Sequence, residues 1–341
     1  MSERRPSWRA RVGAMVLALF AGACDRSQQP PPQPPAAVTP PSSVPVADGR
    51  IRVAVTVDDL PSHGDLPPGA TRLQLHERML SVFAEHGVQA YGFINGARAA
   101  DGADQTASLA AWAAAGQPLG NHTFSHPRMA EIGLQAYLGE IDRNADVLRP
   151  LVPDERVWRV FRYPYLFEGT DAATTKAVRE HLAAERYRIA EVTIDFFDWA
   201  YNGPFARCSA LHDDAAIAAL RDHYVRHAVA MLRWSDATAR GIWGRPVSHI
   251  LLLHVGGFGA EMIDPLLDAY ERENVEWITL DDAMADPIYA DVPVADGITQ
   301  GTLLDMMIDV RKAPHPPVHV QPERLLASIC AAPGADTRPK P

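Results

Sequence analysis

Two histidines four residues apart, His122 and His126, stand in the stretch LGNHTFSHPRM. Neutral imidazoles at that spacing can face one way and share a metal ion. Spacing alone does not single them out. The 13 histidines of this 341-residue chain should give about half such a pair by chance, and the sequence has three. His223 and His227 lie in RDHYVRHAVAMLR, a helical pattern in which packing or solvation accounts for both. His315 and His319 lie in HPPVH, where the prolines mark an irregular tail. Adjacent carboxylates raise the same question at Asp58–Asp59, Asp213–Asp214 and Asp281–Asp282. The second and third pairs read as acids opening helices, where the N-terminal dipole favours them; the first follows a β-branched run.

The elements that must carry these side chains are short strands alternating with helices, the pattern of a parallel sheet with crossover helices. Strands are expected at Arg52–Val57, Gln89–Ile94, Pro118–Asn121, Arg159–Tyr163, Val192–Ile194, His249–Leu253 and Val275–Thr279. Helices are clearest at Arg72–His86, closed by Gly87, at Gln135–Arg149, and at Asp171–Glu185 after Thr170 as a cap. A longer helical insertion covers Asp213–Arg240, and the last fifty residues have no clear place in the pattern. Seven strand-then-helix units describe one barrel, and parallel barrels build their sites from the loops after the C-terminal strand ends. Those loops receive Asp58 and Asp59, His122 and His126, Arg162 and Tyr165, Asp195, Asp198 and Trp199, and His254. The other two histidine pairs lie on no strand end.

In this order the residues resemble the polysaccharide deacetylase family, which shares the NodB homology domain. TVDD matches its first motif with Val57 in place of phenylalanine, and HTFSH matches the second in full. RYPY supplies the third, Asp198–Trp199 the fourth, and LLH at Leu252–His254 the fifth. The resemblance covers about Ile51–Tyr289 and implies an irregular (β/α)7 barrel. It implies that Asp59, His122 and His126 hold a divalent metal, Zn2+ with Co2+ or Ni2+ as substitutes, leaving positions for water and the acetyl oxygen. Asp58 would be the general base, with Arg162 holding it and favouring its charged form. The Tyr165 N–H would stabilise the oxyanion. His254 would protonate the leaving amine, oriented by Asp198. Trp199 and Pro164 would line the substrate pocket. Leu60 and Leu166 stand where glycine usually follows the first and third motifs.

The remaining chain bounds the setting. Four arginines precede an apolar run Val12–Ala23 that ends before Cys24, a secretory signal too short to span a bilayer. LFAGAC resembles a lipobox, which implies cleavage after residue 23 and a lipid anchor on Cys24. The Pro-rich stretch within residues 24–50 reads as an extended tether, 51–290 as the catalytic domain and 291–341 as an extension. Loss of residues 1–23, with their four arginines and one glutamate, would move the net charge from −10 to −13, which disfavours nucleic acid and anionic lipid surfaces. Cys208 and Cys330 then remain for one disulfide in an exported, oxidising compartment, the periplasm or cell envelope. The function expected is removal of N-acetyl groups from amino sugars of a chitooligosaccharide or peptidoglycan type of glycan. An O-acetyl esterase or cyclic-amide hydrolase on the same metal site, and a cell-wall glycan-binding lipoprotein without turnover, are the alternatives.

Overall fold

The computed structural model describes residues 49–317 and 321–332. The signal at 1–23, the Cys24 anchor, nearly all of the Pro-rich tether and His319 lie outside the described residues. The first strand, β1 (Ile51–Leu60), is buried along almost its whole length, as a strand covered on both faces must be. Alternation sends Val53, Val55 and Val57 outward under the helices, in the main core. Ala54 faces inward with Tyr91, Phe93, Val160, Ala190 and Ile250, against Leu280 and Ala283 of the short helix Leu280–Met284.

Around β1 the sheet is parallel throughout. β2 (Tyr91–Ile94), β3 (Leu119–Asn121), β4 (Val160–Phe161) and, after β5 (Phe167–Gly169), β6 (Arg188–Ile189) follow on one side in the order β6-β4-β3-β2-β1. β7 (Ser248–His254) lines the other edge of β1, in a register that sets Asp58 beside His254. β8 (Val275–Ile278) pairs with the opening residues of β1. The sheet curls strongly until the backbone after β6 meets β7 at a single bridge, Ile194 to Leu251, giving an irregular α/β barrel.

Two local expectations change. The apolar run Val192–Ile194 contributes only that bridge, whereas Arg188–Ile189 forms the ladder strand, because the carbonyls of Arg159 and Phe161 accept from Arg188 and Ala190. A neighbour's unpaired edge decides the pairing there, not the strand's own side chains. The helix Ala172–Ala184 is capped by Asp171, whose carboxylate accepts from the Thr174 N–H, and not by Thr170.

The helical insertion runs Asp214–Trp243, with Asp213 as its cap, and Asp281–Asp282 open a helix capped by Thr279, so both acid pairs serve helix starts. The extension also has a defined place. β9 (Thr299–Gln300) pairs antiparallel with β5, the helix Leu303–Arg311 follows, and the helix Glu323–Ser328 leads to Cys330, which is bonded to Cys208 on the helix Asn202–Leu211. Among the described residues no helix is long and apolar enough to cross a membrane.

Candidate metal and catalytic site

Successive strand residues point to opposite faces, so the two neighbouring aspartates need a special backbone to serve one site. β1 supplies it. Its register with β2 shifts between Val57 and Leu60, and Asp59 is left-handed at φ 65°. This bulge turns both carboxylates into the cavity above the barrel.

His122 and His126 meet through a turn and not along a helix. Thr123 and His126 are both left-handed, at φ 63° and 56°, and the rings come to 4.9 Å between centroids. Three buried asparagines hold the turn. Asn95 donates to the His122 carbonyl at 2.6 Å, the Asn121 carboxamide oxygen accepts from the Thr123 N–H at 2.9 Å, and Asn144 bridges Asn121 and the Ile94 carbonyl. His122 Nδ1 donates to the Arg162 carbonyl at 2.8 Å, which leaves the Nε2 lone pair facing the site. Burial lowers the pKa of His122 far below the imidazole range and that of His126 to about 4, so both rings are neutral donors.

Asp59 completes the set. One ligand atom each from Asp59, His122 and His126 lie within 4.8 Å of one another. Asp59 Oδ1 is buried without a hydrogen bond, 3.5 Å from His126 Nε2 and 3.9 Å from His122 Nε2. Burial alone would raise this carboxyl, but His126, His63 and Arg98 outweigh it and hold it well below the carboxylate range. One ionised carboxylate and two neutral imidazoles facing a cavity fit a divalent cation with open positions.

His63 and Arg98 escaped the sequence reading. His63 Nδ1 donates to Asp59 Oδ2 at 2.7 Å, and Arg98 lies 3.1 Å from Oδ1. The signal available for His63 was its place four residues after Asp59; Arg98 comes from a short helix after β2 and carried none.

Beside this set, Asp58 accepts from Arg162 Nη1 at 3.1 and 3.2 Å. Arg162 is 1% exposed, and a charge so buried needs every donor used; its Nη2 and Nε bind Thr56 Oγ1 and the Ala190 carbonyl. Burial nevertheless lifts Asp58 to about 6, against the lowering by Arg162 and His254. On β7, His254 Nδ1 donates to Asp198 Oδ1 at 2.8 Å, while the other Asp198 oxygen accepts the His254 N–H at 2.7 Å. Burial would lower His254, but Asp198, then Asp59 and Asp58, raise it to about 9.

Tyr165 sits at the rim, 38% exposed, its ring 4.4 Å from that of His126 and under the Arg128 guanidinium at 4.0 Å. Trp199 and Asp195 line the same cavity of about 950 Å3. The Asp195 carboxylate accepts from the Phe197 N–H at 2.8 Å, fixing the turn that aims Asp198 and Trp199. Pro164 is buried at the start of its turn, and the wall there is formed by Tyr165 and Leu166 instead. His223 and His227 stack at 5.8 Å on the insertion helix, with His223 bonded to the Tyr201 hydroxyl. Asp281 pairs with Arg188 on the surface.

A family model described as polysaccharide deacetylase matches residues 46–184. Over this region the chain is similar to the polysaccharide deacetylase family. The matched region carries the aspartate pair, the HTFSH turn and RYPY; Asp198 and His254 lie beyond it, and the curled sheet brings His254 to the same cavity with Asp198 bonded to it. Solved structures similar to this barrel include the Bc1960 peptidoglycan N-acetylglucosamine deacetylase, with 18% identity over 69% of this chain and 88% of that one at a TM-score of 0.48. The chitin deacetylase of Colletotrichum lindemuthianum shows 18% identity over 69% and 87%, at 0.46. A mutant of a family 4 carbohydrate esterase pseudoenzyme with restored activity shows 16% over 69% and 68%, at 0.46. Among curated proteins, none matches the chain.

Proposed function

We propose that this chain is a metal-dependent hydrolase that removes N-acetyl groups from amino sugars of an oligosaccharide or polysaccharide of the chitooligosaccharide or peptidoglycan type. The observation that carries this reading is the pairing of Asp58 with His254 on adjacent strands, next to the Asp59, His122 and His126 donors. Binding alone needs neither a buried base nor a buried acid. Asp59, His122 and His126 would hold the metal, Zn2+ by the nature of the donors, and when bound it supplies Lewis-acid polarisation of water and of the acetyl carbonyl.

The chain's own residues then divide the proton work. Asp58 takes a proton from the attacking water as its oxygen bonds to the acetyl carbon. Arg162 keeps the Asp58 carboxylate in place. The Tyr165 N–H donates to the acetyl oxygen as charge develops there. His254 gives its Nε2 proton to the amine nitrogen as the carbon–nitrogen bond breaks, releasing acetate and the free amino sugar, while Asp198 holds the Nδ1 proton and stabilises the ring's orientation. Trp199 walls the side of the cavity where the acetyl methyl would lie.

The disulfide suits an exported protein in the periplasm or cell envelope, with Cys24 as the proposed lipid anchor. Acetate release from chitooligosaccharides, peptidoglycan and acetylated xylan tests the reading. Release from the first two supports it, release from xylan alone indicates an ester substrate, and none from any indicates a glycan-binding protein.

A further inference from the structure

Tyr165 and Leu166 are two successive non-glycine residues in the left-handed region, at φ 58° and 48°. L-residues disfavour that region because Cβ crowds the following carbonyl, so something outside the turn must hold it. The bonds that do so come from the C-terminal extension. The Gln300 side-chain amide donates to the Tyr165 carbonyl at 3.4 Å, and the Gly301 N–H donates to the Leu166 carbonyl at 3.0 Å. These carbonyls belong to the two peptides that follow Tyr165, so fixing them fixes the left-handed backbone of Tyr165 and Leu166 and, through it, the position of the Tyr165 N–H. β9 is itself anchored. It pairs with β5 through Phe167 and Gly169, buried Thr299 meets Thr175, and the Leu303 N–H binds the Val192 carbonyl at 2.7 Å.

We infer that Gln300 and Gly301 are positioning residues for the oxyanion-binding turn at Tyr165, so that the extension is a working part of the catalytic site. The inference rests on the proposed role of the Tyr165 N–H. Gly301 can make its bond only because its own φ is +99°, where an added Cβ would also lie 3.0 Å from Asp305 Cβ; alanine there would displace the N–H.

The test uses the full chain with its disulfide intact and zinc supplied, comparing wild type, Gln300→Ala, Gly301→Ala and Leu166→Gly. Gln300→Ala and Gly301→Ala are each expected to lower kcat about five- to fiftyfold with KM and bound zinc unchanged, the signature of an interaction realised in the transition state. In the Leu166→Gly background, where glycine tolerates the left-handed backbone unaided, Gln300→Ala should cost less than twofold. Equal losses in both backgrounds, a change confined to KM, or no loss would overturn the inference. If wild type releases no acetate from any glycan, the functional reading fails separately. Amide hydrogen exchange of the segment Tyr163–Gly169 then still decides the structural claim: faster exchange in Gln300→Ala and Gly301→Ala upholds it, and unchanged protection overturns it.

Discussion

At the scale of single residues, the metal donors and the proton carriers should separate cleanly. His126→Ala removes a donor and is expected to lower bound zinc and acetate release together, whereas His223→Ala, on the insertion helix, should leave both unchanged; metal analysis and turnover on the same preparations check this. Asp58→Asn and His254→Ala should keep the metal and lose on the order of 10²–10⁴-fold in turnover. The pH profile follows from the same two groups. Asp58 must be deprotonated, so the rate rises as pH passes about 6, and His254 must be protonated, so it falls above about 9. A divalent cation beside them favours the deprotonated forms and moves both limbs to lower pH. A profile flat from 5 to 10 would remove this pair from the mechanism. The cluster of Asp59, His122 and His126 was legible because residue type and strand-end position coincide. The strength of burial at Asp58 was not: Arg162 does favour the anion, but how far desolvation opposes it depends on packing that a sequence does not state. Nor was Arg98 legible, since nothing in its neighbourhood marks a cation aimed at Asp59.

The elements show where pattern suffices and where it does not. β1, β2 and β3 fall close to their expected spans because they are buried on both sides. β4 shrinks to two residues, and β6, also of two, forms ahead of the expected Val192–Ile194; there the partner's backbone decides. The bulge in β1 is invisible to alternation, yet without it Asp58 and Asp59 would face opposite ways. The helix Leu134–Leu151 does more than cover the sheet, since its Asn144 ties β2 to β3 and takes the Gly96 N–H at 2.9 Å. Asn144→Leu would strand buried donors and acceptors there and is expected to cost about 1–3 kcal/mol. Urea unfolding measures it, and zinc affinity should drop as well, because the HTFSH turn leans on the same asparagines.

For the whole molecule, the extension was the least readable part. Its short apolar stretches fit no barrel period because they pack on the helices Asn202–Leu211 and Asp214–Trp243, outside the sheet. Its pairing through Cys208 and Cys330, 122 residues apart, followed only from these being the cysteines left once the expected signal and Cys24 are set aside. Reduction of that bond should lower stability by about 2–4 kcal/mol, read from denaturant midpoints with and without reductant, and should release residues near Cys330 first. The barrel's layout carries a further consequence for a chain emerging residue by residue. The proposed metal donors belong to β1 and the turn after β3, and can come together early. The acid His254 arrives only with β7, and the bonds that steady the Tyr165 turn arrive later still, with β9. In a chain that folds as it emerges from its N-terminus, the three proposed donors can therefore meet before His254 and the bonds to the Tyr165 turn are in place.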